Sequence, residues 1–186
     1  MQIEIVPGDI TTQRVDVIVN AANESLLGGG GVDGAIHAAA GPALLEECRE
    51  LRRTRFPRGL PVGEAVATSA GDLAARWVVH TVGPNRHRGQ VDPALLVSCF
   101  RTSLVRAGEL GAGSVAFPAI SAGVFGWDVE QVATIAVRTV HAVDAAQEAT
   151  SVDLVRFVPF GQRAASAFTA AVAEWGRGMG EPWTSS

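Results

Sequence analysis

Four polar side chains lie on either side of a run of glycines, and their types suit acid–base chemistry. Asn20 and Asn23 precede the run Gly28–Gly31, and Asp33 and His37 follow it. A carboxylate can accept a proton or position a water molecule, and a histidine can orient or assist that group. Because Asp33 and His37 are four residues apart, a helix would place them on one face. A plainer interpretation stays open, in which the asparagines only make turns and Asp33 is only a first-turn acid.

The run of glycines is typical of a loop that binds an anion. Glycine has no Cβ, so backbone N–H groups can approach a phosphate closely, and the N-terminus of a following helix adds a favourable field. The alternative is a flexible linker, although linkers seldom lead directly into a helix. A second loop, Pro118–Asp128, also follows a strand and precedes a helix. Two such loops could bind a diphosphate from both sides.

Other residues that could carry chemistry have equally ordinary roles. Asp9 closes the first strand and could accept a hydrogen bond from an amine of a base, or could merely start a turn. Phe125 could cover a sugar or simply pack. His80 lies inside an apolar strand, where a satisfied core histidine is expected. Cys48 lies beside two glutamates that would raise the pKa of its thiol, so it is not predicted to be a nucleophile. No His, Cys and Asp spacing resembles a zinc site, and we expect no metal.

Short apolar runs alternate with helical patterns along the chain. The predicted strands are Ile3–Val6, Val15–Val19, Ala65–Ser69, Trp77–Val82, Val115–Pro118 and Leu154–Phe160. The predicted helices are Gly34–Ala40, Ala43–Leu51, Pro93–Leu110, Val129–Val143 and Ala164–Trp175. Several strands are apolar throughout, which fits a sheet covered on both faces. The pattern predicts a three-layer α/β/α sandwich.

Length and composition limit the classes of protein that this chain can be. Its 186 residues, 47% of them hydrophobic, suit one domain, which we place at residues 1–176 with a flexible tail at 177–186. A formal net charge of −4 gives no basic balance for nucleic-acid binding. No apolar stretch predicts a signal peptide or a membrane span. Cys48 and Cys99 are expected to be reduced and partly buried, which favours a cytoplasmic location.

Taken together, these segments resemble the macrodomain family, and in particular its MacroD-type branch. The resemblance is carried by Val17–Asn23, Leu26–His37, Val78–Pro84 and Phe117–Gly126, and it extends from Gly8 to about Trp175. It implies a sandwich around a central mixed, mostly parallel sheet, with a pocket for ADP-ribose.

The resemblance also implies a role for each candidate residue. Asn20, Asn23, Asp33 and His37 match the positions that orient the distal ribose and support hydrolysis. Asp9 would bind the adenine amine, and the remaining contacts would stack on adenine, hold the diphosphate or flank the distal ribose. The implied ligand-binding residues are Asp9, Ile10, Gly30, Gly31, Val32, Ser121, Ala122, Gly123, Val124, Phe125, Gly126 and Phe160.

Three segments depart from the family pattern. Ala122 stands where the family often has a threonine, so one hydroxyl near the phosphates is lost. Gly59–Gly63 replaces a Gly-Cys-x-Thr-Gly segment, which concerns contacts on the substrate side. Trp127 and Asp128 replace an aromatic-Pro pair, a change expected to reshape the exit of the second loop.

The expected activity is hydrolysis of the ester between ADP-ribose and an acidic side chain of a protein, together with deacetylation of O-acetyl-ADP-ribose. The expected partners are ADP-ribose, proteins ADP-ribosylated on acidic residues, and O-acetyl-ADP-ribose. Membrane and nucleic-acid partners are not expected, and no cofactor is needed because the loops already stabilise phosphate charge. A non-catalytic ADP-ribose reader, an ADP-ribose 1″-phosphatase and a nucleotide-dependent oxidoreductase are the alternatives.

Overall fold

The apolar runs form six strands of one sheet in the computed structural model, which describes residues 1–177. The strands are β1 Gln2–Ile5, β2 Val17–Ala22, β3 Ala65–Ser69, β4 Trp77–Val82, β5 Ser114–Phe117 and β6 Leu154–Phe157. Their order across the sheet is β1-β6-β5-β2-β4-β3. Only β3 runs antiparallel to its neighbour. The mixed, mostly parallel sheet is therefore confirmed.

In the described part of the chain, five helices cover the two faces of this sheet. They are α1 Gly31–Ala40, α2 Pro42–Thr54, α3 Pro93–Glu109, α4 Val129–Ala145 and α5 Gln162–Arg177. In β2, Val17 and Val19 join the core formed with α3, α4 and α5, whereas Ile18 packs with Ile36 and Leu44 of α1 and α2. Alternate residues of one strand thus point into two cores, which confirms the three-layer sandwich. Within residues 1–177, no helix is both long and apolar enough to cross a membrane.

Several predicted boundaries are wrong by a few residues. The second strand continues past Val19 to Ala22, because pairing with β4 persists through Asn20 opposite His80. The last strand ends at Phe157 rather than Phe160, and Pro159, which has no N–H, cannot extend the ladder. The first helix begins at Gly31 rather than Gly34.

The prediction that both cysteines are reduced and at least partly buried is confirmed. The prediction of a flexible tail is not tested. Cys48 and Cys99 are both free and buried. The proposed tail at 177–186 lies, apart from its first residue, outside the described residues.

Candidate functional site

Four segments that follow neighbouring parallel strands meet at one edge of the sheet. In spatial order they are Asp9 after β1, Phe160 after β6, Ser121–Gly126 after β5 and Gly28–Val32 after β2. Ligands of open α/β sheets bind beyond the carboxyl ends of the strands. Three strand spacings separate the outermost segments, a distance of about 14 Å. The strand order therefore arranges the predicted binding residues along one line.

At the first end of this line, Asp9 and Phe160 are held close together by the backbone. The N–H of Gly8 donates to the carbonyl of Pro159 at 3.1 Å, so the residues that follow each of them are neighbours. Phe160 is 85% exposed. The groove of about 880 Å³ that it borders runs along α5 and is lined neither by Asp9 nor by the two glycine loops. The exposed aromatic ring itself offers a face on which a planar base can stack.

The carboxylate of Asp9 is only partly engaged. Its Oδ1 accepts from the N–H of Thr11 at 2.8 Å and from the Thr11 hydroxyl at 2.7 Å. Within residues 1–177, Oδ2 has no hydrogen bond and remains available to an amine. The side chain of Ile10 is buried in the core with α1, so a ligand would meet mainly its backbone.

The second loop presents a row of backbone donors. The N–H groups of Ser121, Gly123, Val124 and Phe125 donate to no acceptor in the described part of the chain. Two other bonds keep the loop closed, from Gly126 N to Gly123 O at 3.0 Å and from Trp127 N to Ser121 O at 3.2 Å. Ser121 itself has a positive φ of 65°, uncommon for a residue with a side chain. Such an arrangement of free N–H groups is suited to phosphate oxygens.

Buried packing holds the second loop from behind. Trp127 is 2% exposed, and the Arg86 guanidinium lies 4.8 Å from the centre of its ring. Arg86 N–H also donates to Phe125 O at 2.9 Å. Asp128 accepts from the N–H groups of Glu130 and Gln131 and so caps α4. The start of α4 is therefore already satisfied, and the loop itself must bind any phosphate.

The first loop presents a longer row of donors. The N–H groups of residues 28–33 make no hydrogen bond to residues 1–177. Gly30 stands at the N-cap of α1 and provides no side-chain cap. Gly34 lies so close to the loop that a Cβ there would be 2.5 Å from Gly29 O. The loop thus packs on its own helix and leaves the helix N-terminus open to an anion.

Asn20, Asp33 and His37 form a buried cluster behind this loop. Asn20 Nδ2 donates to Asp33 Oδ1 at 2.7 Å, and His37 Nε2 lies 3.5 Å from the same oxygen. Asn20 Oδ1 and Asp33 Oδ2 are buried and have no partner in the described structure. These two oxygens are available to a ligand that enters the cluster.

Asn23 completes the cluster from the other side of the loop. Its Nδ2 donates to Gly28 O at 3.0 Å, and its Oδ1 accepts from Ser25 N at 2.9 Å. A Cβ on Gly29 would lie 3.1 Å from both Asn23 Nδ2 and Asp33 Oδ2. Only a residue without a side chain leaves space between these two polar groups.

Burial is the main influence on Asp33. It raises the pKa of this carboxyl above its ordinary value, while the Asn20 hydrogen bond and His37 oppose the rise. A desolvated carboxylate with one unpaired oxygen is a stronger base than a carboxylate in water. The four polar residues that the sequence placed around the glycine run do lie together.

Comparison with known proteins decides the family. The model of the Macro domain family matches residues 19–136. This chain is a macrodomain. It is 60% identical over 158 residues to a Macro domain-containing protein of Streptomyces griseus, covering 85% of this chain and 87% of that protein. It is also 54% identical over 143 residues to a Klebsiella pneumoniae protein named O-acetyl-ADP-ribose deacetylase, covering 76% and 81% of the two chains.

A solved structure agrees with this assignment. The Oceanobacillus iheyensis macrodomain with ADP superposes with a TM-score of 0.87 at 42% identity, over 94% of this chain and 92% of that one. The resemblance inferred from the sequence is therefore confirmed at the level of family and fold.

Two residues of this macrodomain contact the cluster although the sequence did not predict that they would. His80 Nδ1 lies 3.1 Å from Asn20 Nδ2, and Thr68 Oγ1 lies 3.0 Å from His80 Nε2. His80 is fully buried and satisfied, as predicted, but its partner is a residue of the site. The signal is a polar residue at the same point of two adjacent apolar strands, which is visible only once the strand register is known.

His37, Cys48 and His80 bring three metal-ligating atoms within 4.8 Å of one another. The chemistry of these donors does not favour a cation. Burial, with contributions from Asp33 and Glu47, raises the pKa of the Cys48 thiol to about 12, whereas zinc binds the thiolate. His80 already uses both ring nitrogens. We therefore describe His37, Cys48 and His80 as a packed cluster in which Cys48 is a thiol and His80 is a neutral imidazole.

The segment Gly59–Gly63 lies against the distal end of the site. Leu60 N–H donates to Glu24 O at 2.9 Å, directly after Asn23. Gly59 has a φ of +107°, and a Cβ there would be 3.0 Å from Glu24 O. The segment that departs from the family pattern thus supports the backbone next to Asn23.

Proposed function

We propose that this macrodomain binds ADP-ribose and hydrolyses acyl esters on its distal ribose. The substrates are O-acetyl-ADP-ribose and proteins that carry ADP-ribose on an acidic side chain. The name of the Klebsiella pneumoniae relative supports the first substrate. The second follows from chemistry, because both substrates present an acyl ester on the same sugar.

The line of binding residues fits the parts of ADP-ribose in order. Adenine lies between Asp9 and Phe160, with its amine on the free oxygen of Asp9. The diphosphate oxygens accept hydrogen bonds from the free N–H groups of the second loop. The distal ribose lies against Gly28–Val32. ADP in the Oceanobacillus iheyensis structure supports a diphosphate ligand for this fold. We expect the ester to lie beside Asn23 and Asp33.

The observation that carries the proposal is the state of Asp33. One carboxylate oxygen is held by Asn20 at 2.7 Å, while the other is buried, has no partner among residues 1–177 and lies next to the gap at Gly29. An unsatisfied buried carboxylate oxygen is costly, so it is typical of a functional site. Simple binding of a sugar does not require a desolvated base.

The reaction adds one water to the ester. The water oxygen attacks the acyl carbon, the bond from that carbon to the ribose oxygen breaks, and the ribose oxygen takes a proton. The products are a carboxylic acid and ADP-ribose. The proton of the attacking water goes to Asp33 Oδ2 or to the substrate's own phosphate, and the same group then passes it to the leaving ribose oxygen. Loop N–H groups stabilise the developing negative charge.

The test is hydrolysis of O-acetyl-ADP-ribose in ¹⁸O-labelled water, followed by mass spectrometry of both products. Attack at the acyl carbon places the label in acetate and leaves ADP-ribose unlabelled. Asp33→Asn should lower kcat by about a hundredfold or more and still bind ADP-ribose. Asp153→Asn is the matched control, because Asp153 is an exposed carboxyl that precedes β6 at the opposite edge of the sheet.

A reader without turnover is the second candidate function. Ala122 removes a hydroxyl near the phosphates, and Gly59–Gly63 lacks the polar side chains of the family pattern. Tight ADP-ribose binding with no labelled acetate would favour the reader. Inorganic phosphate released from ADP-ribose 1″-phosphate would instead favour the phosphatase.

A further inference from the structure

His80 lies opposite Asn20 in the parallel pair β2–β4, and both side chains point to the face covered by α1 and α2. Thr68 of β3 points to the same face. The three side chains form a buried row that ends at Asp33, with contacts of 3.0 Å, 3.1 Å and 2.7 Å along it. None of the three is more than 4% exposed.

Hydrogen-bond counting gives this row a direction. The single hydroxyl hydrogen of Thr68 is donated to Ser69 O at 3.0 Å, which leaves Thr68 Oγ1 to accept from His80 Nε2. Cys48 Sγ lies 3.8 Å from the same nitrogen and is a weak acceptor, which agrees with a proton on Nε2. A neutral imidazole with its proton on Nε2 has a lone pair on Nδ1. That lone pair requires a donor, and Asn20 Nδ2 is 3.1 Å away.

The consequence concerns which end of the Asn20 amide faces the ligand. One hydrogen of the amide NH₂ group goes to Asp33 Oδ1 and the other to His80 Nδ1. Both donors are then used, and Oδ1 is left as a buried acceptor that has no partner in the described part of the chain. In the opposite orientation, the amide oxygen would face the Asp33 carboxylate and the His80 lone pair, which would repel it.

We propose that His80, oriented by Thr68, is a positioning residue that holds the Asn20 amide so that its oxygen faces the distal ribose. The site then accepts a hydrogen bond from a sugar hydroxyl at this point, and Asp33 keeps its orientation. The proposal rests on the proposed function for its effect on turnover, but not for its effect on ligand binding.

Burial makes this arrangement independent of ordinary changes in pH. Burial, assisted by His37, lowers the pKa of His80 to about 3, so the ring stays neutral. Among residues 1–177, the titratable groups that contact His80 or shift its pKa are His37 of α1 and Cys48 of α2, and Asp33 of α1 lies beyond Asn20 in the same row. The Cys48 thiol is also neutral, since its pKa is raised to about 12.

Two substitutions at His80 separate positioning from packing. In His80→Asn, the shorter side chain places its amide oxygen near the position of Nδ1 and keeps an acceptor for Asn20. In His80→Gln, the longer side chain fills more of the space and reaches Thr68, but loses that acceptor. Positioning predicts that His80→Asn keeps kcat at least about tenfold higher than His80→Gln, a ratio that corresponds to one lost hydrogen bond. A packing role predicts the reverse order.

Thr68→Val gives an independent test, and Thr139→Val is its matched control. Both threonines are 4% exposed, but the hydroxyl of Thr139 donates only to Ile135 O within α4. We expect Thr68→Val to weaken ADP-ribose binding, measured by calorimetry, and to shift the His80 proton away from Nε2, measured by ¹⁵N chemical shifts. A wild-type His80 protonated on Nδ1 would overturn the proposal. These readouts do not need turnover, so they decide the inference even when the proposed hydrolysis fails.

Discussion

The 2.7 Å contact between Asn20 Nδ2 and Asp33 Oδ1 joins strand β2 to helix α1 across the base of the glycine loop. It has two effects, because it fixes the rotation of the carboxylate and it lowers the pKa that burial raises. Removal of Asn20 should therefore change both the geometry and the acid–base behaviour of the site.

This contact predicts a specific pH dependence. If Asp33 is the base, kcat falls on the acid side with a midpoint above the ordinary carboxyl range, since burial raises the pKa of Asp33. In Asn20→Ala, a cause that lowers this pKa is lost, so the midpoint should move to higher pH. The measurement is kcat against pH for wild type and Asn20→Ala. An acid limb with the same midpoint in both proteins would assign the proton to the substrate's phosphate.

The conformation of the first glycine loop is predicted to change when one methyl group is added to α1 at Gly34. In Gly34→Ala, the new Cβ would lie 2.5 Å from Gly29 O, so the loop must move. We expect a loss of stability of about 1–3 kcal/mol and weaker ADP-ribose binding, because the free N–H groups of the loop shift with it. Thermal unfolding and calorimetry measure the two effects.

Gly176→Ala in α5 is the control for that change. Within residues 1–177, no atom lies within 4 Å of its added Cβ, and alanine favours a helix over glycine by roughly 0.5–1 kcal/mol. This variant should gain stability and bind normally. If the two alanine variants had equal stability and bound ADP-ribose equally well, the close approach of Gly34 to the loop would not matter for binding.

The exposed ring of Phe160 is predicted to act on ligand affinity alone. Because the ring is 85% exposed, Phe160→Ala should leave Tm almost unchanged. Loss of a stacked base costs roughly 1–3 kcal/mol, so the Kd for ADP-ribose should rise by roughly five- to 150-fold. Asp153→Ala, at an exposed residue that precedes β6 at the opposite edge of the sheet, is the comparison. An unchanged Kd in Phe160→Ala would place adenine elsewhere.

The dependence of protein stability on pH should show that His80 is buried as a neutral imidazole. Its pKa is lowered from 6.5 to about 3 on folding, so the unfolded chain binds the extra proton between these values. Stability contributed by this group is present above pH 6.5 and is lost as the pH falls towards 3. Asp33, whose pKa is raised, acts in the opposite direction at the acid end. Wild type should therefore lose Tm more steeply than His80→Asn between pH 6.5 and 4.5, and parallel curves would contradict a neutral buried His80.

Some of the site is readable from local sequence, and some is not. The four-residue spacing of Asp33 and His37 on a helix, and the two glycine loops, follow from patterns within a few residues. That Asp9 and Phe160 are neighbours does not follow from local patterns, because it depends on β6 lying between β1 and β5 in the sheet. The family resemblance supplied that pairing.

The same limit explains why His80 was placed in the core and not connected to the site. Its apolar strand correctly predicts burial, but the partner of a buried polar group depends on register across strands. Asn20 was expected after the end of its strand, whereas it lies inside β2, directly opposite His80. Hydrogen bonds between distant segments cannot be derived from the composition of either one.

The most direct test of the central claim uses a protein that carries mono-ADP-ribose on glutamate. Release of ADP-ribose is followed for wild type and Asp33→Ala, and free ADP-ribose is titrated into both by calorimetry. We predict turnover by wild type, at least about a hundredfold less by Asp33→Ala, and ADP-ribose binding by both proteins. Binding by wild type without any release would contradict hydrolysis and make this macrodomain a reader, and full release by Asp33→Ala would remove Asp33 from the mechanism.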